Sequence, residues 1–228
     1  MTADFIRFPH TPHIAWLAPG RPRSDKVLDR HETRELLSDD IVVEEKVDGA
    51  NVGISLSSDG QVRAQNRGHY IEPGGHPQFG PLWPWLAART TALMTHVDHN
   101  LIIFGEWCFA THSVEYDALP DYFLGFDVYE RDSSQFWSTS RRNYLFAQLA
   151  ITAVPELFRG RSTLEKVIQL VETSNSRLTS GPLEGIYIRR ESDENLLSRA
   201  KLVRAEFLQQ IDVHWSQRPF RKNRLIKE

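Results

Sequence analysis

Cysteine is nearly absent from the 228-residue chain, which contains only Cys108. A single thiol excludes a disulfide framework and a zinc site built from several cysteines. It suits a reducing compartment, so we expect a cytoplasmic protein. The opening residues, Met1 to Phe5, include no basic stretch followed by an apolar run, and no long apolar segment follows. We therefore expect no signal peptide, no transmembrane helix and no membrane partner.

An excess of positive charge is also missing. Lysine and arginine total 27 against 30 acidic residues, which gives a net charge of −3. A nucleic-acid-binding protein with this balance must concentrate its basic residues locally. The short tail 216–228 does so, with Arg218, Arg221, Lys222, Arg224 and Lys227 against the single acid Glu228 in the last eleven residues. The tail is either a solvated chain end or a contact for nucleic-acid phosphates, and the pattern is compatible with both.

Apolar segments rich in β-branched and aromatic residues predict strands over 41–56, 61–67, 101–107, 122–129, 185–190 and 200–204, the first containing a turn at 48–50. Helical spacing predicts helices over 82–96, 141–150, 164–171 and 205–211, with Ser140 and either Ser162 or Thr163 as caps. Residues 9–25 and 72–81 are predicted to be irregular. Strands mixed irregularly with helices indicate an α+β fold with antiparallel sheets flanked by helices.

The segment 46–51 (KVDGAN) contains residues suited to covalent chemistry. On a strand, Lys46 and Asp48 share one face because alternate side chains point the same way. Gly49 permits a sharp turn and lets a ligand approach the backbone. The lysine becomes a nucleophile when burial or a nearby cation supplies a neutral amine. By itself, however, the Lys-x-Asp-Gly tetrapeptide is a weak signal, because many surface hairpins contain Asp-Gly turns, and a solvated hairpin would be the preferred interpretation if nothing else followed.

Further short segments follow in order: residues 65–68 (QNRG), 104–107 (FGEW), 123–127 (FLGFD), 183–189 (LEGIYIR) and 200–204 (AKLVR). This ordered set, over about 41–207, resembles the covalent nucleotidyltransferase superfamily of polynucleotide ligases and mRNA capping enzymes. Asn51 and the opening segment 8–14 (FPHTPHI) resemble the nick-sealing viral RNA ligase branch.

The resemblance implies one nucleotidyltransferase (adenylyltransferase) domain of the DNA/RNA ligase type over residues 1–228, with the motif core at 41–207. Twenty-one residues follow Phe207. This leaves no room for the C-terminal OB domain found in DNA ligases and capping enzymes, so we expect none.

The resemblance also implies roles for individual residues. Lys46 would form the lysyl-AMP phosphoramidate, with Asp48 and Gly49 completing its motif and Glu45 contributing to the nucleotide site. Asn51 would act near the nucleic-acid phosphate during sealing, and Arg67 would contact a phosphate or the 5′ end. Glu106 would bind the ribose, Phe126 would stack on adenine, Glu184 would hold the metal, and Lys201 would contact the α-phosphate. A lysine and Mg²⁺ placed there stabilise the charge that builds on the phosphate oxygens. Glu44, on the face of Lys46, is a further candidate to tune the lysine or bind metal.

The last motif departs from the viral pattern. There it often reads Lys-x-Lys, whereas anchoring on Phe207 gives Lys201-Leu202-Val203 here. Arg204 is shifted by one residue, toward the other strand face. Arg189 and Arg204 are alternative candidates for the missing second phosphate contact.

The implied activity is that of an ATP-dependent RNA ligase using Mg²⁺ or Mn²⁺. AMP would pass from Lys46 to a 5′-phosphate end, which then joins a 3′-hydroxyl. RNA is the expected partner, with a nicked RNA/DNA duplex as a candidate substrate and an end-healing protein as a candidate second partner. The alternatives are a GTP-using capping enzyme, a compact DNA ligase, and a non-catalytic nucleotide- or RNA-binding module.

Overall fold

The structure is a computed structural model that describes residues 5–20, 22, 26–209 and 220–226. The helices are α1 (Arg30–Leu36), α2 (Leu82–Ala87), α3 (Thr90–His96), α4 (Thr139–Gln148), α5 (Leu164–Thr173) and α6 (Ala205–Gln209), with a 3-10 turn at Pro77–Phe79. The strands are β1 (Ile41–Lys46), β2 (Ala50–Leu56), β3 (Val62–Gln65), β4 (Leu101–Trp107), β5 (Phe123–Glu130), β6 (Gln135–Phe136), β7 (Thr152–Ala153), β8 (Glu156–Gly160), β9 (Gly185–Glu191) and β10 (Leu196–Val203).

Two sheets organise these strands. The first, here called sheet A, has the order β10-β9-β1-β8, and the second, sheet B, has the order β3-β2-β4-β5-β6 with β7 beside β5. All pairs are antiparallel except β5 with β7. The predicted α+β class with antiparallel sheets and flanking helices is confirmed.

The turn after Lys46 carries the chain from one sheet to the other. The strands on either side of residues 48–50 are present as predicted, but β1 lies in sheet A and β2 in sheet B. They do not form a hairpin. Consequently Lys46, at the end of β1, lies where the two sheets meet.

Each sheet buries one apolar face against helices. In sheet A, Val43, Ile186 and Leu202 pack in one cluster with Val167 and Val171 of α5. The alternating positions of β1 and β9, which carry polar side chains, therefore face away from these helices. In sheet B the apolar cluster runs from β2 and β4 to α2, α3 and α4. The polar face of each sheet is thus directed toward the region between the sheets.

The helices predicted over 82–96 and 141–150 differ from those in the structure, and α5 ends two residues later than predicted. The single helix expected over 82–96 is two, α2 and α3, separated at Ala88–Arg89. Helix α4 begins at Thr139, two residues earlier than expected. Its N-cap is Ser138 and not Ser140, because the Ser138 hydroxyl accepts a hydrogen bond from the backbone N–H of Arg141. For α5, the cap is Thr163, one of the two candidates.

The segment before α1 lies along the outer edge of sheet A. The backbone N–H of Lys201 in β10 donates to the carbonyl of Pro12 (2.8 Å), and the N–H of Ile14 donates to the carbonyl of Lys201 (2.9 Å). The described part of the predicted irregular region 9–25 thus supports the strand that carries Lys201. Among the described residues, no helix combines the length and apolar character needed to cross a membrane.

Candidate active site

Lys46 and Glu184 form an ion pair between the two sheets. The Nζ of Lys46 lies 2.7 Å from each carboxylate oxygen of Glu184. Lys46 pairs with Gly185 of β9, which brings the residue preceding that strand beside the amine. Burial alone would lower the pKa of Lys46, but the negative field of Glu184, Tyr187 and Asp48 outweighs it and raises the pKa above its ordinary value. The amine is therefore protonated in the free protein.

Asp48 is held by the loop that follows β4. Its Oδ2 accepts hydrogen bonds from the backbone N–H of Ser113 (2.6 Å) and of Val114 (3.0 Å). Its own backbone N–H donates to the hydroxyl of Tyr116 at 2.9 Å. These three bonds fix both the backbone and the carboxylate of Asp48, two residues from the lysine.

Gly49 allows a close approach between the turn and β4. A Cβ at this position would lie 2.6 Å from the carbonyl oxygen of Trp107, closer than side chains tolerate. The Gly49 N–H donates to Oε1 of Glu106 at 3.1 Å. Burial raises the pKa of Glu106 to about 8, with Lys46 opposing the shift and Asp48 adding to it. Glu106 therefore carries a proton through most of the neutral range.

A β-bulge places Phe126 toward the region between the sheets. Phe104 pairs with Asp127 and Gly105 with Gly125, so Phe126 is the extra residue of β5. A bulge re-aims the side chain it contains. The Phe126 ring packs edge-on against Phe8 at 5.2 Å and lines a small cavity. Tyr187 of β9 lines the same cavity from sheet A.

A buried charge network joins the two sheets, and part of it lines this cavity. Arg142 of α4 is bidentate to Glu44 (2.6 and 3.2 Å), and both side chains are 1% exposed. Arg189 and Arg199 pair with opposite oxygens of Asp127 at 2.7 and 2.5 Å. The network fixes Phe126 as well, because Arg142 and Arg189 both donate to its backbone carbonyl.

The remaining predicted residues surround the lysine. Lys201 of β10 pairs with Tyr187 of β9. The positive charge of Lys201 opposes the rise that burial causes in the pKa of Glu184. Arg67 is exposed, and its positive charge opposes the rise in the pKa of Glu106. Asn51 lies directly opposite Glu106 in sheet B. Its buried Oδ1 has no hydrogen-bond partner within the described part of the chain. The structure thus brings Lys46, Asp48, Gly49, Asn51, Arg67, Glu106, Phe126, Glu184 and Lys201 together, whereas their individual roles stay predictions.

Glu45 is the exception among the predicted residues. Its carboxylate points away from Lys46, since neighbours on a strand face opposite sides. It accepts hydrogen bonds from the Ser176 hydroxyl (2.5 Å) and the Arg177 backbone N–H (2.9 Å). The Glu45 side chain therefore supports the 176–177 turn, and the contribution of Glu45 to a nucleotide site stays a prediction. Glu44 shares the face of Lys46 as expected, but its carboxylate is occupied by Arg142.

Neither candidate for the missing second phosphate contact is placed for it. Arg189 is 3% exposed and is paired with Asp127 and Glu191. Arg204 donates to the carbonyls of Val171 and Glu172, away from the lysine. Five further residues of this region were not predicted as site residues: Tyr116, Asp127, Arg142, Tyr187 and Arg199. Strand alternation could have found Arg199, two residues from Lys201, and Tyr187, two residues from the candidate Arg189.

Comparison with known proteins agrees with this geometry. Residues 39–203 match the model of the RNA ligase family. No curated protein matches the chain. Among solved structures, Naegleria gruberi RNA ligase with pyrophosphate is similar at a TM-score of 0.61 and 16% identity, covering 90% of this chain and 63% of that one.

A mutant of the same Naegleria gruberi enzyme, solved with ATP and Mn, is similar at a TM-score of 0.57 and 18% identity, covering 78% of this chain and 53% of that one. Another, with AMP and Mn, has a TM-score of 0.59 and 16% identity, covering 90% and 63%. The chain thus spans between half and two thirds of the length of these structures, and the likeness is one of fold. Since the family model covers well over half of the sequence, the chain belongs to the RNA ligase family.

Proposed function

We propose that this protein is an ATP-dependent RNA ligase that adenylates itself on Lys46. The observation that carries the proposal is the setting of that amine. It lies at a strand end, 17% exposed, with both oxygens of Glu184 at 2.7 Å and the Glu106–Gly49 contact beside it. A lone surface lysine in a solvated hairpin has none of these partners. Membership of the RNA ligase family supports the same activity.

In the first step, the Lys46 amine attacks the α-phosphorus of ATP. A nitrogen–phosphorus bond forms, the bond to the pyrophosphate oxygen breaks, and the amine loses a proton. Because the pKa of Lys46 is raised in the free protein, nucleotide binding has to separate the amine from Glu184 and lower that pKa. Lys201, on the same face, supplies positive charge where negative charge builds on the α-phosphate.

A divalent cation fits this site as a partner of the triphosphate. Within the described ranges, no cluster of three or more His, Cys, Asp or Glu side chains could hold a metal unaided. Mg²⁺, however, is usually bound through one or two carboxylates together with substrate phosphates. Glu184 would supply such a carboxylate once Lys46 leaves it. When bound, Mg²⁺ or Mn²⁺ neutralises charge on the phosphate oxygens.

The nucleoside is proposed to lie between the sheets. Glu106 carries a proton at neutral pH, so its carboxyl both donates and accepts hydrogen bonds, which suits ribose hydroxyls. Phe126, held by its bulge and by Arg142, offers an aromatic ring for the base. The Naegleria gruberi enzyme solved with ATP and Mn supports this choice of nucleotide and metal.

In the later steps, AMP passes to a 5′-phosphate of RNA, and the 3′-hydroxyl displaces it. Arg67 is proposed to meet an incoming phosphate, which its exposure and its charge near Glu106 support. Asn51 is proposed to contact the reacting end, which its unpaired Oδ1 opposite Glu106 supports. We propose a nicked duplex with at least one RNA strand as the substrate. An end-healing protein supplying 5′-phosphates is the proposed partner, and the cytoplasm the proposed setting.

Sealing of defined nicks tests this function. Wild-type protein and Lys46→Arg would be incubated with ATP, Mg²⁺ and four labelled substrates: an RNA nick, an RNA/DNA nick, a DNA nick and single-stranded RNA. Sealing of the RNA-containing nicks by the wild type alone is the expected result. Equal or better sealing of the all-DNA nick would instead identify a compact DNA ligase, and no sealing of any substrate would contradict ligase activity.

A further inference from the structure

The segment 220–226 folds back onto the loop that follows β4. The backbone N–H of Thr111 donates to the carbonyl of Arg221 (2.9 Å), and that of Asn223 donates to the carbonyl of Phe109 (3.0 Å). Further along, the N–H of Arg224 donates to the carbonyl of Tyr116 at 2.9 Å. This part of the predicted tail is therefore a docked segment and not a solvated chain end. Arg218 and Lys227 lie outside the described residues.

Asn223 is the centre of this docking. Its side chain is 2% exposed and uses all of its polar atoms. Nδ2 donates to the carbonyls of Cys108 (2.8 Å) and Ala110 (3.3 Å). Oδ1 accepts from the Thr111 hydroxyl and the Tyr116 backbone N–H, both at 2.9 Å. One amide thus ties together the beginning and the middle of the loop 108–119.

The same loop holds the carboxylate of Asp48. Its Ser113 and Val114 N–H groups donate to Asp48 Oδ2, and its Tyr116 hydroxyl accepts from the Asp48 N–H. Asn223 bonds to Tyr116 and to Thr111, so its contacts bracket the two amides. Asn223 is therefore connected to Asp48 through the loop by direct hydrogen bonds.

The position of Asp48 matters for the chemistry because its charge acts on the surrounding groups. Asp48 lies two residues from Lys46, in the turn between the two sheets, and its neighbour Gly49 donates to Glu106. If the loop moves, the carboxylate loses its two amide donors and its charge is no longer fixed relative to the amine. Small displacements of a group near a reacting centre cost large factors in rate.

We propose that Asn223 is a positioning residue for self-adenylation, acting through the loop 108–119 on Asp48. It makes no contact with Lys46 or Glu184, so it is not a catalytic residue. The segment 220–226 thereby belongs to the active-site architecture, although it lies beyond the matched family region 39–203. The expected change in the rate of AMP-adduct formation rests on the proposed function. The expected change in the exchange of the loop amides rests on the hydrogen-bond geometry alone.

The test compares Asn223→Ala and Asn223→Asp with wild type. The aspartate has the same shape but turns an acceptor toward the carbonyls of Cys108 and Ala110, which is repulsive. Hydrogen–deuterium exchange of the Ser113 and Val114 amides would report the loop, and single-turnover formation of the AMP adduct, measured across pH, would report the chemistry. Ile226→Ala is the matched control, since its side chain is 58% exposed on the same segment.

Both variants are expected to exchange these two amides at least about tenfold faster, with exchange in β2 and β9 unchanged. Adduct formation should fall by about tenfold or more and its pH profile should shift, because the Asp48 carboxylate is no longer held in place. Thr111→Val, which removes one of the four bonds to Asn223, should show smaller changes in the same direction. It keeps the test decisive if the Asn223 variants do not fold.

Unchanged exchange at Ser113 and Val114 in folded Asn223 or Thr111 variants would overturn the proposal. So would faster exchange with an unaltered adduct rate and pH profile. A wild-type protein that forms no AMP adduct would refute the proposed function instead, and the exchange result would then still decide whether Asn223 orders the Asp48 loop.

Discussion

Glu184 holds the amine of Lys46 at 2.7 Å from both of its carboxylate oxygens, although the two residues are 138 positions apart in the sequence. The antiparallel pairing of β1 with β9 brings them together. The pair raises the pKa of Lys46, so in the proposed reaction the amine stays protonated and unreactive until nucleotide binding separates it from Glu184.

Replacing Gly49 by alanine should disable the site. The new Cβ would lie 2.6 Å from the Trp107 carbonyl oxygen, a backbone atom that cannot move aside cheaply. The turn must shift, and the hydrogen bond from Gly49 to Glu106 is lost. We expect AMP-adduct formation to fall by about a hundredfold, measured by single-turnover labelling.

Gly181→Ala is the control for that experiment, because nothing lies within 4 Å of a Cβ there. An adduct rate for Gly49→Ala equal to that of Gly181→Ala would show that the turn tolerates a side chain and that the close approach is not required.

Glu106 should make the stability of the protein depend on pH. Its pKa is about 8 in the folded protein, against an ordinary 4.5, so the folded state binds this proton more tightly than the unfolded state. Its favourable contribution is complete at low pH and is lost as pH rises from about 4.5 through 8. Glu106→Gln, which stays neutral, should therefore gain thermal stability relative to wild type as pH rises.

Melting curves at pH 5, 7 and 8.5 would measure this effect. The difference between Glu106→Gln and wild type should be smallest at pH 5 and largest at pH 8.5. A difference that is the same at all three values would mean that Glu106 titrates in its ordinary range.

Breaking the buried Glu44–Arg142 pair should destabilise the fold. Glu44→Gln leaves the Arg142 guanidinium buried without its countercharge, at a cost of about 3–5 kcal/mol. The exposed pair Glu156–Arg159, with side chains 40% and 45% exposed, offers a matched control. Glu156→Gln should cost less than about 1 kcal/mol. Urea unfolding would compare the two, and equal costs would contradict the structural importance of the buried pair.

Removing the Phe126 ring should weaken ATP binding. Stacking on a base contributes roughly 1–3 kcal/mol, so Phe126→Ala should raise the KM for ATP by about tenfold, whereas Phe126→Leu should have a smaller effect. Tyr144→Ala serves as the control, because the Tyr144 side chain is exposed on α4. An unchanged KM in Phe126→Ala would place the base elsewhere.

The composition and motif order of the sequence predicted the fold class and many of the residues that meet around Lys46, although not Tyr116 or Tyr187. Strand alternation predicted a shared face for Lys46 and Asp48, but β1 ends at Lys46 and Asp48 lies in the turn that follows it. Alternation does hold within β1, where Val43 packs with α5 while Glu44 and Lys46 point the other way, because it is set by the backbone and does not depend on distant partners.

Other features depend on long-range pairing and were not predictable from local pattern. The separation of β1 and β2 into different sheets is one, since the same turn residues also suit a hairpin. Arg142 is another, because an arginine on a helix is ordinarily exposed and only its partner Glu44, 98 positions away, explains its burial. Asn223 lies among basic residues that suggested a solvated tail or a contact for nucleic-acid phosphates, and the loop that it bonds to is more than 100 positions away.

The central claim is that Lys46 carries AMP, and intact-mass measurement tests it most directly. Wild-type protein freed of nucleotide and Lys46→Arg, which keeps the charge beside Glu184, would each be incubated with Mg²⁺ and ATP, GTP or NAD. The account predicts a mass gain of one AMP for the wild type with ATP and no gain for Lys46→Arg. A gain that persists in Lys46→Arg, a preference for GTP, or no gain with any nucleotide would contradict it.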